Sequence, residues 1–169
     1  MIKGFGQIRV DGAGPMNARM LLLGQSPGEI EEQEGEPFVG PVGQFLQQCV
    51  KYVGLEWRQL RRENVFRYRL NIKNHNEVVD IIISRRTKIL QRLQKLSRVK
   101  VAVALGNEAM FATLNLWGIT RFRGNPVMNN IWTIVPTLHP SYILRNGKDP
   151  ELVRRFIKDL KLAKVLLES

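Results

Sequence analysis

The sequence predicts an α/β fold in three layers, with a central, largely parallel sheet of four strands between two layers of helices. Short apolar runs such as Met20–Leu23 and Val99–Leu105 have the length of buried strands. Longer segments with apolar residues at helical spacing alternate with these runs, as in parallel α/β proteins. The 169 residues are enough for one core and too few for two ordinary domains, so we expect one domain over residues 1–169.

The charge of the chain favours a polyanionic partner. Lys and Arg number 26 against 15 Asp and Glu, which gives a formal net charge of +11. Such an excess is typical of nucleic-acid-binding proteins, although a lysine-rich surface without such a partner has the same composition. No apolar run reaches the roughly 18 residues of a membrane span, and Met1–Gly4 does not open a signal peptide. We therefore expect a soluble, cytoplasmic monomer with no membrane partner.

The first third of the chain alternates loops with two predicted elements. Residues 1–18 carry four glycines and a proline with little periodicity, so we expect a loosely ordered segment. Arg19–Leu23 is the first predicted strand. The five glycines and three prolines of residues 24–43 argue against a helix or strand interior and favour a shaped loop. Apolar residues then recur at helical spacing from Val42 to Val53, which predicts a helix.

A strand and a basic helix are predicted in the middle of the chain. Glu63–Leu70 mixes aromatic, branched and basic residues, which indicates a strand running into a loop. Glu77–Leu96 has helical periodicity, with an inward apolar stripe of Ile82, Ile89, Leu93 and Leu96. Its basic residues are expected to point largely outward as a solvated face; they are Arg85, Arg86, Lys88, Arg92 and Lys95.

The last third repeats the alternation of strand and helix. Val99–Leu105 predicts a strand and Asn107–Leu116 the helix after it, while Ile131–Leu138 predicts the last core strand. Asp149 and Pro150 form an N-cap and first-turn pair for a closing helix that reaches about Leu167. Its buried residues are expected to include Leu152, Phe156, Leu160 and Val165.

Two motifs in this framework resemble those of the uracil-DNA glycosylase superfamily. From Gly24 to Gly43 the chain reads G-Q-S-P-G-E-I-E-E-Q-E-G-E-P-F-V-G-P-V-G, and from His139 to Arg145 it reads H-P-S-Y-I-L-R. The first is most similar to family 4 of the superfamily, whose members read G-E-A-P-G followed by G-x-P-F-V-G-x-A-G. The second matches the superfamily signature H-P-S/A-x-x-L-R. The resemblance implies a DNA glycosylase of base excision repair on the fold expected above.

The family-4 resemblance also raises the question of an iron–sulfur cluster. Cys49 is the only cysteine, which excludes a disulfide within the chain and a site built mainly on thiolates. The family segment N-V-V-K-C-R-P is matched here by N-V-F-R-Y-R-L from Asn64, so Tyr68 stands where the family has a cluster cysteine. The C-x-x-C pair expected near the amino terminus is missing too. We therefore expect no cofactor, and we expect Cys49 to be a core residue.

The resemblance implies a role for each motif residue in recognising an extruded pyrimidine. Gly24 would let the base approach the backbone, and Phe38 would stack on it. The amide of Asn64 matches the O4 and N3–H edge of uracil and discriminates against cytosine. His139 would donate a hydrogen bond to O2 and stabilise the anion that forms as the glycosidic bond breaks.

Further residues are implied to contact the DNA duplex or the attacking water. Tyr142 and Ile143 are expected to enter the duplex as a wedge, and the expected phosphate contacts are Arg121, Arg123 and Arg145. Gln25 and Ser26 replace the Asp of the family-1 motif G-Q-D-P-Y and the Glu of the family-4 motif. Both are able to hold a water molecule, but neither is a general base with an ordinary pKa. A carboxylate from Glu29, Glu31 or Glu32 is an alternative, although acids in loops are more often exposed.

The substituted water-binding positions leave several functions open. One is a glycosylase for uracil in single- or double-stranded DNA, with slow excision because the carboxylate is missing. A second is a glycosylase for another modified pyrimidine. A third is a non-catalytic DNA-binding module on the same fold, such as a replication accessory factor. A nucleotide-binding protein of flavodoxin type is disfavoured, because the five glutamates between Gly24 and Pro37 repel phosphate.

Overall fold

A five-stranded sheet runs through the centre of the computed structural model, which describes residues 4–169. In chain order the strands are β1 (Phe5–Arg9), β2 (Met20–Gly24), β3 (Arg61–Asn64), β4 (Tyr68–Leu70), β5 (Val101–Leu105), β6 (Val127–Met128) and β7 (Thr133–Thr137). The central sheet has the order β3-β2-β5-β7-β6. Its first four strands are parallel, and β6 adds a short antiparallel edge that the sequence did not predict. The predicted α/β class and parallel core of four strands are confirmed.

Helices cover the sheet on both faces. In chain order they are α1 (Glu29–Glu34), α2 (Pro41–Tyr52), α3 (His75–Gln94), α4 (Gly106–Leu114), α5 (Ile119–Phe122), α6 (Pro140–Arg145) and α7 (Pro150–Glu168), with a 3₁₀ turn at Trp57–Gln59. Every residue of β2 and β5 is buried, as expected for parallel strands covered on both sides. Helices α4 and α7 both pack on β5 and β7, and α4 also packs on α3. None of the helices within residues 4–169 is both long and apolar enough to cross a membrane.

The amino-terminal segment is more ordered than its composition predicts. Strand β1 pairs antiparallel with β4, and the ring of Phe5 packs edge-on against Phe66 with 5.3 Å between centroids. Ala13 forms a further bridge to Arg62. Backbone pairing with a distant segment therefore replaces the local periodicity that residues 5–18 lack. Residues 1–3, on which part of the signal-peptide expectation depended, lie outside the described residues.

The glycine-rich loop contains a helix, contrary to prediction. Helix α1 starts after Gly28 in extended conformation and stops at Gly35, which has a φ of 75°. The carboxylate of Glu31 accepts a hydrogen bond from the backbone N–H of Gly28, as in a capping box. The glycines therefore end the helix at both sides and do not interrupt it.

Two assignments of helix faces were also wrong. In α3, Arg92 donates to the backbone oxygens of Asn64 and Val65, and Arg86 donates to that of Ala112, so neither side chain points outward. Val165 of α7 is 61% exposed. It lies nine residues after the buried Phe156, and about 100° per residue places it on the opposite face of the helix. The predicted Asp149 cap is confirmed, because its carboxylate accepts from the N–H groups of Glu151 and Leu152. The burial of Cys49 is confirmed as well.

Candidate active site

A cleft of about 500 Å³ opens where the parallel strands β2, β3 and β7 end. Gly24 is the last residue of β2 and pairs in register with Asn64, the last residue of β3. His139 follows β7 after one intervening residue. Ser26, Phe38, Asn64 and His139 all line the cleft. Parallel strands deliver their carboxyl ends to one edge of a sheet, so residues from distant motifs meet there.

Gly24 makes this convergence possible. A Cβ atom at this position would lie 2.6 Å from Oδ1 of Asn64 and 2.7 Å from Cζ of Phe38. Real Cβ contacts are essentially never so short, so any side chain would displace the ring or the amide. Glycine is required here because two functional side chains occupy the space next to the backbone.

Phe38 is held across the cleft in a strained conformation. Its φ is 62°, in the left-handed region, which costs a non-glycine residue roughly 1–3 kcal/mol. A Cβ on Gly43, in the first turn of α2, would lie only 1.9 Å from the backbone oxygen of Phe38. The close approach of this helix therefore fixes the backbone of Phe38. The ring is 8% exposed and contributes to the wall of the cleft.

Glu31 braces the loop that carries Phe38. One carboxylate oxygen accepts from the N–H of Gly28 at 3.1 Å, and the other accepts from the N–H of Gly40 at 2.9 Å. A buried carboxylate thus ties together two points of the loop that are twelve residues apart, on either side of Phe38. Sequence reasoning missed this role; the signal was a glutamate three residues after a helix cap.

Asn64 is fixed through its backbone and free at its side chain. The residue is 6% exposed, and its carbonyl oxygen accepts from Nη2 of Arg92 at 2.5 Å. Within residues 4–169, no hydrogen bond involves the side-chain amide. The amide therefore offers its donors and acceptor to whatever occupies the cleft.

His139 lines the cleft, and its contacts assign the neutral form with the proton on Nε2. Its Nδ1 accepts from the backbone N–H of Ser141 at 3.1 Å and lies 2.7 Å from the Ser141 hydroxyl. A nitrogen that accepts a backbone N–H carries no proton, so this contact assigns the proton to Nε2. Burial, with a smaller contribution from Arg145, lowers the pKa of His139 to about 4. Gly106 packs against the ring, since its Cβ would lie 3.0 Å from Cβ of His139.

The structure separates the two residues at the water-binding positions. Ser26 lines the cleft, and its hydroxyl makes no hydrogen bond with residues 4–169. Gln25 is absent from the lining, and its backbone oxygen accepts from the N–H of Phe66. Two of the alternative carboxylates, Glu29 and Glu31, line the cleft as well. Besides the braced Glu31, both Glu29 and Glu32 face Arg69, at 3.6 and 3.8 Å.

The residues predicted to contact DNA divide into exposed and buried sets. Tyr142, Arg121 and Arg145 are exposed. The wedge prediction for Ile143 is wrong, because this residue is fully buried on the inner face of α6. The phosphate prediction for Arg123 is also wrong: its guanidinium pairs with buried Asp159 at 2.5 and 2.9 Å.

Comparison with known proteins identifies the family of this chain. The family model of the "Uracil DNA glycosylase superfamily" matches residues 12–161 and so includes both motifs. The chain belongs to the uracil-DNA glycosylase superfamily. It is 31% identical over 172 residues to a "Type-4 uracil-DNA glycosylase" of Thermotoga maritima, covering 95% of this chain and 83% of that protein. A protein of the same description from Sulfurisphaera tokodaii is 31% identical over 165 residues, with 90% and 71% covered.

The residues of this superfamily member do not fit the iron–sulfur cluster for which family 4 has cysteines. Cys49, the only thiol in the chain, is buried in α2, and burial raises its pKa to about 11. Tyr68 lies on β4, paired with β1. Within residues 4–169 no group of His, Cys, Asp or Glu side chains is arranged to hold a metal ion. The absence of a cluster stays a prediction, which absorbance and iron analysis test.

Proposed function

We propose that this member of the superfamily hydrolyses the N-glycosidic bond of uracil in DNA and leaves an abasic site. One observation carries the proposal: an aromatic ring, an unpaired amide and a neutral histidine donor converge on one cleft. These groups belong to Phe38, Asn64 and His139. Membership of the superfamily and the names of the relatives agree with this activity.

Recognition of the base would depend on Phe38 and Asn64. A flipped pyrimidine stacked on the Phe38 ring gains roughly 1–3 kcal/mol, which offsets part of the few kcal/mol of unstacking. The Asn64 amide donates to O4 and accepts from N3–H of uracil. Cytosine presents a donor and an acceptor in the opposite order, so the same amide orientation leaves both groups unpaired.

Bond cleavage would depend on His139. As the C1′–N1 bond breaks, its electron pair stays with the base, and negative charge develops on O2. A hydrogen bond from Nε2–H of His139 stabilises this charge, and removal of one such donor typically costs 10²–10³ in rate. Because His139 is neutral, it donates without having to release a proton to the base.

Water then completes the reaction. It adds to C1′ of the electron-poor sugar and releases one proton to solvent, while the uracil anion takes up a proton after it leaves. The Ser26 hydroxyl, which lines the cleft and has no protein partner within residues 4–169, is placed to orient this water. Positions 25 and 26 carry no carboxylate, Glu31 is held by two backbone N–H groups, and Glu29 and Glu32 lie near Arg69. We therefore expect slower excision than in superfamily members that have a carboxylate at position 25 or 26.

Contact with the DNA itself would use exposed groups near α5 and α6. Tyr142 replaces the extruded base in the stack, and Arg121 and Arg145 contact phosphates. These contacts bind the DNA backbone without sequence preference, so the cleft determines which base is removed.

The test uses oligonucleotides that differ at one position. Uracil, thymine, cytosine and other modified pyrimidines are placed in the same single- and double-stranded sequence, and abasic products are revealed by alkali. We expect cleavage at uracil alone, and strong loss of excision for Phe38→Ala. Tyr52→Ala is the matched control, because Tyr52 is an aromatic residue 72% exposed on α2 and away from the cleft. Binding without base removal would contradict the proposal in favour of an accessory role, and removal of a different base would reassign the substrate.

A further inference from the structure

A second cleft, of about 520 Å³, opens beside the strand that borders the active site. Arg69 and Leu70 of β4 line the active-site cleft, whereas Tyr68 of the same strand lines the second. Among residues 4–169, five cationic side chains and no carboxylates line it; the cations are Arg9, Arg67, Arg85, Lys88 and Arg92. We call this site the basic cleft.

Only two of the five cations in the basic cleft have a carboxylate partner. Asp11 lies 2.7 Å from Arg9 and 2.9 Å from Arg67. Within residues 4–169 the other three cations, Arg85, Lys88 and Arg92, form no ion pair. They occupy positions i, i+3 and i+7 of α3, so they share one face of that helix. The cleft therefore presents a row of positive charge that the protein does not neutralise.

Arg92 is one cation of the basic cleft whose positive charge has few partners in the protein. The guanidinium is half-buried, and its Nε is buried without an acceptor within residues 4–169. Burial lowers the pKa of Arg92 to about 10, although Glu63 opposes this effect, and repulsion from Arg67 and Arg9 adds to it. Buried cations are normally paired, so an arrangement of this kind is favourable when an anion completes it. Arg92 also donates to the backbone oxygen of Asn64, which joins the two clefts through one side chain.

Aromatic groups lie between the cations. Tyr68 is 37% exposed at the cleft, and the guanidinium of Arg85 lies over the ring of Phe5 at 5.5 Å from its centroid. Proteins usually bind a nucleic acid strand without sequence preference by combining two kinds of group. Cations contact the phosphates, and aromatic rings between them pack on bases or sugars. A second copy of this chain is disfavoured as the occupant, because it carries the same net charge of +11.

We propose that the basic cleft binds a backbone phosphate of the DNA strand whose uracil occupies the active-site cleft. The proposal rests on the proposed function for its choice of ligand, while the chemistry it requires is that of a phosphate group. A free phosphate ion or nucleotide offers the same chemistry. The experiment therefore separates the two sources.

The test compares two double variants that remove equal charge from helical positions. Arg85→Gln with Lys88→Gln alters the basic cleft, and Lys158→Gln with Lys161→Gln alters α7; each pair is spaced i, i+3 and lowers the net charge by two. Binding to a uracil oligonucleotide is measured between 50 and 200 mM salt. Losing one phosphate contact lowers the slope of log affinity against log salt by about 0.9 for duplex DNA, which is roughly a 3.5-fold difference across this range. We expect this change for the cleft variant and a much smaller one for the α7 variant.

The second arm uses inorganic phosphate and thymidine monophosphate, with thermal unfolding as the readout. If DNA binding is equal in the two variants but these ligands raise the Tm of the wild type and the α7 variant only, the cleft binds a free anion. If the two variants behave alike in both arms, the proposal is overturned. A wild type that binds no DNA would count against the proposed function, and the phosphate arm would still decide whether the cleft binds anions. Lys88→Gln alone repeats the test with one exposed side chain, should the double variant fold poorly.

Discussion

Protonation of His139 should make the protein less stable in mild acid. In the unfolded chain a histidine has a pKa of about 6.5, whereas burial lowers the pKa of His139 to about 4 in the folded protein. The unfolded state therefore binds a proton as the pH falls through 6.5, and the folded state does not until about 4. The contribution of neutral His139 to the free energy of unfolding is therefore fully present above the unfolded pKa of about 6.5, and it is lost as the pH falls toward the folded pKa of about 4. The loss is about 2 kcal/mol at pH 5 and about 3 kcal/mol below pH 4.

Urea unfolding at pH 7.5 and pH 5.0 measures this loss. Carboxylates also titrate over this range, so the informative quantity is the difference between wild type and His139→Gln. We expect the wild type to lose about 2 kcal/mol more than the variant, a sizeable share of an ordinary stability of roughly 5–15 kcal/mol. His75→Gln, at an exposed histidine, is the matched control and should follow the wild type. Equal losses in wild type and His139→Gln would refute the assignment of a neutral, desolvated histidine.

Three further predictions follow from the assigned contacts. Arg123→Ala leaves the carboxylate of Asp159, which is 1% exposed, without its cation and should cost about 3–5 kcal/mol in urea unfolding, whereas Arg145→Ala should cost almost nothing. Equal costs would contradict the structural role of Arg123. Asn64→Ala should reduce excision of uracil and its preference over cytosine, measured as a ratio of kcat/KM values, and an unchanged ratio would remove Asn64 from base recognition. The purified protein should contain no iron and show no broad absorbance near 400 nm, because Cys49 is the only thiol; such absorbance would show that it carries a cluster.

The parallel core was predictable because its signal is local. Strands β2 and β5 are apolar throughout, and a short apolar run followed by glycine identifies a strand buried on both faces. Strands β1 and β4 are three to five residues long and pair across about sixty positions of sequence. Strand β1 has no apolar pattern of its own, so no local signal identifies it, whereas β4 falls within the predicted strand segment Glu63–Leu70. The sequence does not reveal helix α1, because the glycines that end it are equally typical of a loop.

The site was predictable where a motif residue directly follows a strand. Asn64 and His139 meet because parallel strands end at one edge of the sheet, and the structure places Phe38 beside them. Arg92 was missed because its backbone partners, Asn64 and Val65, are distant in sequence. Glu31 was missed although its spacing of three residues after Gly28 fits a capping box. The prediction for Ile143 was wrong for another reason: in a helix of six residues the sequence does not show which face is buried.

The most direct test of the account is the effect of His139→Ala on a single turnover. A uracil oligonucleotide is bound at saturating enzyme, and the rates of base release by wild type and variant are compared together with their affinities for DNA. Release should slow by roughly 10²–10³ while DNA affinity stays nearly unchanged, because His139 acts on the charge that develops during cleavage. Release at the wild-type rate by His139→Ala would contradict it.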